Sequence, residues 1–212
     1  MTARLRALRL LPVIVIDDAE AAAPLAHALT DGGLPAAEVT FRTAAAAEAI
    51  RRMADASPDL LVGAGTVLTT KQADDALAAG ARFIVAPGFN RAVVEHCLAR
   101  GVPVYPGVCT PTEVEAALAT GVQVLKFFPA EPMGGVKFLK AIAAPYGMVE
   151  WMPTGGVTVD NVQGYLDFKK VVACGGSWMA PQDAIASGDF ERIRAETARA
   201  VRSVREPAAV GG

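Results

Sequence analysis

Histidine is almost missing from this 212-residue chain. The two present, His27 and His96, fall inside alanine-rich runs with helical spacing, away from any predicted strand end. That leaves no histidine at a strand end to act as base or metal ligand, and neither an H-E-x-x-H run nor an aspartate-rich ligand set occurs, which argues against metal catalysis. Cysteine is nearly as scarce. Cys97, Cys109 and Cys174 are odd in number and far apart with no C-x-x-C pair, a pattern of reduced cytoplasmic thiols rather than of a disulfide framework, and no role is assigned to Cys109. No apolar run reaches the ~18 residues a membrane span needs. A formal net charge of −2 gives no electrostatic case for nucleic acid or an anionic membrane. The first nine residues alternate charge with apolar side chains, which predicts a short amphipathic helix rather than a signal peptide. Linkers, charge blocks and low-complexity segments are absent as well, so one soluble domain is expected over residues 1–206, with 207–212 as a disordered tail.

What the chain does have is a regular alternation. β-rich runs at 13–16, 37–41, 60–66, 83–87, 104–108, 123–128, 150–154 and 170–174 are separated by helical stretches at 21–30, 44–56, 70–79, 91–100, 111–120, 136–143 and 159–168, with a last helix near 189–204. Strands joined through helices pair in parallel by right-handed crossovers. Eight such units in this length predict an α/β fold of the (β/α)8 TIM-barrel type, preceded by the short N-terminal helix. In such a barrel the chemistry gathers at the C-terminal ends of the strands.

One residue there fits a hydrophobic strand badly. Lys126 stands in Val122-Gln123-Val124-Leu125-Lys126-Phe127-Phe128-Pro129, whereas the other five lysines fall at helix starts, helix faces or a strand entry. A buried ammonium is costly unless paired or deprotonated, and a desolvated amine is a nucleophile toward carbonyl carbon. A structural ion pair is the alternative, and position alone does not decide. In Glu38-Val39-Thr40-Phe41-Arg42 the polar residues share one face, because side chains alternate along a strand. Glu38 and Arg42 read either as a buried ion pair or as an acid–base group and a carboxylate binder, the planar guanidinium suiting the latter. Glu38 and Lys126 are expected to meet across the barrel. Thr66 closes the third strand and Pro87 the fourth, while Phe128 shares the face of Lys126. Thr154-Gly155-Gly156 and Gly175-Gly176-Ser177 end the seventh and eighth strands, where a phosphate is usually held in this fold by backbone N–H groups.

These motifs occur in order, and together they closely resemble the bacterial 2-keto-3-deoxy-6-phosphogluconate (KDPG) aldolase family, which includes 4-hydroxy-2-oxoglutarate aldolases. The likeness rests on Glu38–Thr43, Gly63–Val67, Leu125–Glu131, Pro153–Val157 and Gly175–Trp178, and covers about residues 5–205. It implies a class I, cofactor-free and metal-free cytoplasmic homotrimer. The reaction implied is cleavage of 2-dehydro-3-deoxy-6-phosphogluconate to pyruvate and D-glyceraldehyde 3-phosphate in the Entner–Doudoroff pathway. The resemblance makes Lys126 the Schiff-base lysine and Glu38 the general acid/base. Arg42 and Thr66 then bind the pyruvyl carboxylate, Pro87 and Phe128 line the pocket, Thr154 lies beside the substrate chain, and Gly155, Gly156, Gly175, Gly176 and Ser177 form the phosphate end. Two alternatives stay open: a sister specificity, for the galactonate epimer or unphosphorylated 4-hydroxy-2-oxoglutarate, and a phosphate-binding isomerase or synthase barrel without imine chemistry.

Overall fold

Helix starts are set by side chains able to accept from the free N–H groups of a first turn. Thr69 accepts from Gln72 N and Asn90 from Ala92 N. Thr110 and Glu113 form a capping box with Pro111 in the first turn, where a missing N–H costs nothing. In the computed structural model, which describes residues 1–205, these signals open α4 (Thr70–Ala78), α5 (Arg91–Ala99) and α6 (Pro111–Leu118). The other helices are α1 (Thr2–Leu8), α2 (Ala22–Asp31), α3 (Ala46–Ala56), α7 (Gly135–Ala143), α8 (Val162–Leu166), α9 (Gln182–Ser187) and α10 (Phe190–Arg205), with a 3-10 turn at Ala19–Ala21. The strands are β1 (Leu10–Ile14), β2 (Ala36–Thr40), β3 (Leu61–Gly65), β4 (Ile84–Val85), β5 (Val104–Tyr105), β6 (Gly107–Val108), β7 (Val124–Phe127), β8 (Glu150–Pro153) and β9 (Cys174–Gly176). No helix among the described residues is long and apolar enough to cross a membrane.

The result is an α/β fold with a curled parallel sheet. Six strands run in the order β5-β4-β3-β2-β1-β9 and three more in the order β6-β7-β8. The expected fifth strand is split, because Pro106 has no N–H to donate to a ladder; its carbonyl still accepts from Lys126 N at 2.9 Å. Bridges Trp151↔Val171 and Thr154↔Gly175 join β8 to the β9 side.

The alternation of side chains sorts the core into two layers. Ile14, Val39, Val62, Ala64, Phe127 and Trp151 point out against the helices. Leu11, Ala36, Leu61, Phe83, Val85, Tyr105 and Met152 fill the inside, with Leu5 of α1 packed among them. As expected, Val39 and Phe41 pack on the helix side, while Glu38 and Thr40 are buried on the other face. The inner layer is therefore apolar at the N-terminal ends of the strands and polar at the C-terminal ends.

Three elements shift furthest from the sequence expectation. The first strand lies at Leu10–Ile14 rather than 13–16, and the last at Cys174–Gly176 rather than 170–174. The two shifts have one cause, since β9 pairs with β1 through Leu10↔Cys174, Leu11↔Gly175 and Pro12↔Gly176. Glycine carries no strand signal in the sequence, yet here the neighbouring strand holds it in place. The helix expected over 159–168 is confined to Val162–Leu166, since Thr158–Asn161 form a turn in which Thr158 N donates to Asn161 Oδ1. The tail expected at 207–212 lies outside the described residues.

Candidate active site

Lys126 and Glu38 are 88 residues apart in sequence and 3.3 Å apart between Nζ and Oε1. Strand register brings them together: Val13 pairs with Glu38, Glu38 with Gly63, and Gly107 with Lys126. Only 5% of Lys126 and 1% of Glu38 is exposed. The Phe128 ring centroid lies 5.1 Å from Nζ, within cation–π range. At 3.3 Å the contact is longer than the 2.7–2.9 Å of a well-formed charge-assisted hydrogen bond. The pair is close enough to pass a proton but not locked together.

The room for this pair comes from glycine. A Cβ on Gly65 would stand 2.6 Å from Glu38 Cγ, so the neighbouring strand must be bare where the carboxylate rises beside it. Thr40, two residues along on the same face, spends its hydroxyl on Ile14 O at 2.8 Å and ties β2 to β1 below the rim.

Above the pair opens a recess of about 370 Å³ bounded by Val13, Glu38, Thr40, Arg42, Thr66, Pro87, Lys126, Phe128 and Thr154. It thus gathers all seven residues expected at the catalytic and pyruvyl end. Arg42 is solvent-exposed and makes no ion pair among the described residues, so its guanidinium is a free cation at the mouth. Thr66 has φ 54°, a left-handed backbone unusual for a threonine, and such strain clusters at functional sites.

A second recess of about 460 Å³ shares Val13, Arg42, Phe128 and Thr154 with the first, and is lined further by Gly155, Gly156, Thr158, Gly176, Ser177 and Trp178. Gly155 (φ 98°) and Gly156 (φ 79°) are both left-handed, which only glycine adopts freely. The N–H groups of Gly156, Val157 and Ser177 have no acceptor among the described residues. Unpaired N–H groups of this kind beside a recess suit an anion. Gly175 is the one expected phosphate-end residue that does not line the recess. It is buried behind Thr154, whose methyl group lies 3.1 Å from where a Cβ would sit; glycine here lets β9 approach β8.

Sequence reasoning missed Val13, Val15, Thr158 and Gln182 as lining residues. Nothing marks a valine near a strand end or a glutamine at a helix start as facing a cavity. Beside the rim, Cys109 N and Thr110 N both donate to the Glu113 carboxylate at 2.8 and 2.9 Å. Burial alone would raise that carboxyl, but these N–H donors hold it below the usual range. Among the described residues, no three His, Cys, Asp or Glu side chains are placed to share a metal ion.

An α/β fold that buries a lysine beside a glutamate beneath an open recess fits the aldolase class. Comparison with known proteins carries the description further. Residues 1–196 match the family described as KDPG and KHG aldolase. The 2-dehydro-3-deoxy-phosphogluconate aldolase of Treponema pallidum is 51% identical over 191 residues, covering 90% of this chain and 91% of that protein. The KHG/KDPG aldolase of Escherichia coli is 42% identical over 194 residues, covering 92% and 91%. The crystal structure of the KDPG aldolase from Legionella pneumophila, with pyruvate captured as a covalent carbinolamine intermediate, superposes with a TM-score of 0.90 at 38% identity, covering 94% of this chain and 98% of that one. This chain belongs to the KDPG and KHG aldolase family, and it is a lyase.

Proposed function

We propose that this chain is a class I aldolase that cleaves 2-dehydro-3-deoxy-6-phosphogluconate to pyruvate and D-glyceraldehyde 3-phosphate. The single observation that carries the reading is the buried Lys126–Glu38 pair at 3.3 Å beneath an open recess. Lys126 passes a proton to Glu38 across the 3.3 Å contact, and its neutral amine adds to the C2 ketone; Glu38 then returns that proton to the carbinolamine hydroxyl, which leaves as water and gives a protonated imine. The electrons of the C3–C4 bond flow into that imine as the C4 hydroxyl gives its proton to Glu38. Glyceraldehyde 3-phosphate departs, the enamine takes a proton at C3 from the same carboxyl group, and hydrolysis by water returns pyruvate and the free amine. Acid–base assistance of this kind contributes about 10²–10⁴-fold.

Arg42 and Thr66 receive the pyruvyl carboxylate, with Pro87 and Phe128 as walls, and Thr154 lies beside the carbon chain. The free N–H groups around Gly156, Val157 and Ser177 receive the phosphate, with Gly155 and Gly176 as bare backbone and Gly175 keeping β9 close. The two recesses share four residues, so one extended substrate spans both. The parallel strands form a closed (β/α)8 barrel, a reading supported by the single-residue gap at Pro106 and the bridges from β8 to the β9 side. The family resemblance further supports one catalytic domain over 1–206, a cytoplasmic homotrimer and a place in the Entner–Doudoroff pathway.

Steady-state kinetics on three substrates tests the specificity. The gluconate-derived substrate is expected to give the highest kcat/KM, ahead of its galactonate epimer and of 4-hydroxy-2-oxoglutarate. Equal rates with and without the phosphate would contradict a role for the second recess.

A further inference from the structure

The Lys126–Glu131 run ends on a carboxylate that the mechanism above leaves unused. Glu131 lies past the end of β7 at the protein surface, where a glutamate ordinarily does nothing but stay hydrated. Three contacts set this one apart. Its carboxylate accepts a hydrogen bond from the phenol of Tyr165, a residue of α8 that is only 1% exposed. Its backbone N–H donates to Gly155 O at 2.9 Å, next to Ala130 N donating to Thr154 O at 2.8 Å. And a Cβ on Gly156 would stand 2.6 Å from Glu131 Cβ, so the side chain lies directly against the glycine loop.

On its other side the same loop is held by Asn161, whose amide donates to Gly156 O at 3.1 Å and whose oxygen accepts from Thr158 N at 2.8 Å. Gly155 and Gly156 are intrinsically the freest residues of the rim, yet both hold a left-handed φ in the loop that lines the recess. Something outside the loop has to fix them. Burial, together with the Glu131 carboxylate, pushes the Tyr165 phenol well above its ordinary range, so the phenol stays protonated and remains a donor.

We infer that Glu131, anchored by Tyr165, is a positioning residue that holds the Gly155–Gly156 loop in its anion-binding form and so sets affinity for the phosphate of the substrate. This rests on the assignment of that loop to phosphate under the proposed function. Glu131 touches neither the reacting carbons nor Lys126, so its effect is confined to binding at the far end of the substrate.

The test compares Glu131→Ala, Glu131→Gln and Tyr165→Phe with the wild type. Three readouts are followed: kcat and KM on the phosphorylated substrate, competitive inhibition by inorganic phosphate, and borohydride labelling of Lys126 by pyruvate. Losing a hydrogen bond to a charged group costs about a 10-fold rise in KM, so Glu131→Ala and Tyr165→Phe should each raise KM and the phosphate inhibition constant by that factor. Their kcat and pyruvate labelling should stay near wild type. Glu131→Gln should recover most of the loss, because its amide oxygen still accepts from the phenol, and Ala combined with Phe should be no worse than either alone. Unchanged KM in Glu131→Ala, or parallel loss of labelling and phosphate inhibition, would overturn the inference. Failure of phosphate to compete in the wild-type enzyme would instead remove the phosphate assignment itself, and the inference with it.

Discussion

Replacing the buried ion pair by apolar side chains separates function from stability in this protein. Lys126 and Glu38 are 5% and 1% exposed, so neither charge is screened by bulk water from within the sheet. Removing one partner leaves the other buried and uncompensated, at a cost of about 3–5 kcal/mol. The open recess above the pair lets some water relax the remaining charge, which favours the lower end, about 3 kcal/mol. For a domain of this size that is a fall in Tm of roughly 6–12 °C. Lys126→Met and Glu38→Leu should each show it. The double variant should regain wild-type stability or exceed it by about 1–4 kcal/mol, since a well-packed apolar pair needs no desolvation of charge. All three should be inactive as aldolases. Urea unfolding followed by circular dichroism, beside a coupled assay of pyruvate release, reads both quantities on the same samples. A double variant less stable than either single one would refute the reasoning, because the pair would then be holding the fold rather than serving the reaction.

Three further outcomes follow from the same geometry. Glu38→Gln should bind substrate normally and lose about 10²–10⁴-fold in kcat; unchanged kcat in single-turnover kinetics would contradict its role as the base. Gly65→Ala brings a Cβ to 2.6 Å from Glu38 Cγ and should displace the carboxylate, costing about 1–3 kcal/mol in stability and about 10²-fold in turnover, both measurable on one purified variant. Burial raises the Cys97 thiol to about 11 and the Cys174 thiol further, whereas Cys109, also raised by burial and by Glu113, is partly exposed. A thiol reagent at pH 8 should therefore titrate one cysteine slowly in the native protein and all three after unfolding; immediate reaction of all three would contradict the burial of Cys97 and Cys174.

The buried Lys126–Glu38 pair was legible in the sequence because a charge inside an apolar strand is costly and therefore rare. Lys126 and Glu38 each broke the pattern of their strand, and period-two alternation put Glu38 on the inner face where it is found. The alternation of strands and helices likewise gave the α/β class. Strands built from glycine were not legible: β9 is Cys174-Gly175-Gly176, held by pairing with β1 rather than by any preference of its own. The break at Pro106 was hidden because the run 104–108 is apolar throughout, and only the ladder shows where an N–H is missing. Contacts such as Tyr165 to Glu131, 34 residues apart, have no local signature. The same holds for α9, a helix of six residues that closes on the left-handed Gly188.

The central claim is that Lys126 forms an imine with the pyruvyl carbon, and borohydride trapping tests it most directly. The protein is incubated with pyruvate, reduced, digested, and the labelled peptide read by mass. The account predicts one pyruvate-derived adduct, on Lys126, absent from Lys126→Ala and absent without pyruvate. A folded wild-type protein that acquires no adduct, or acquires it on another lysine, would contradict it.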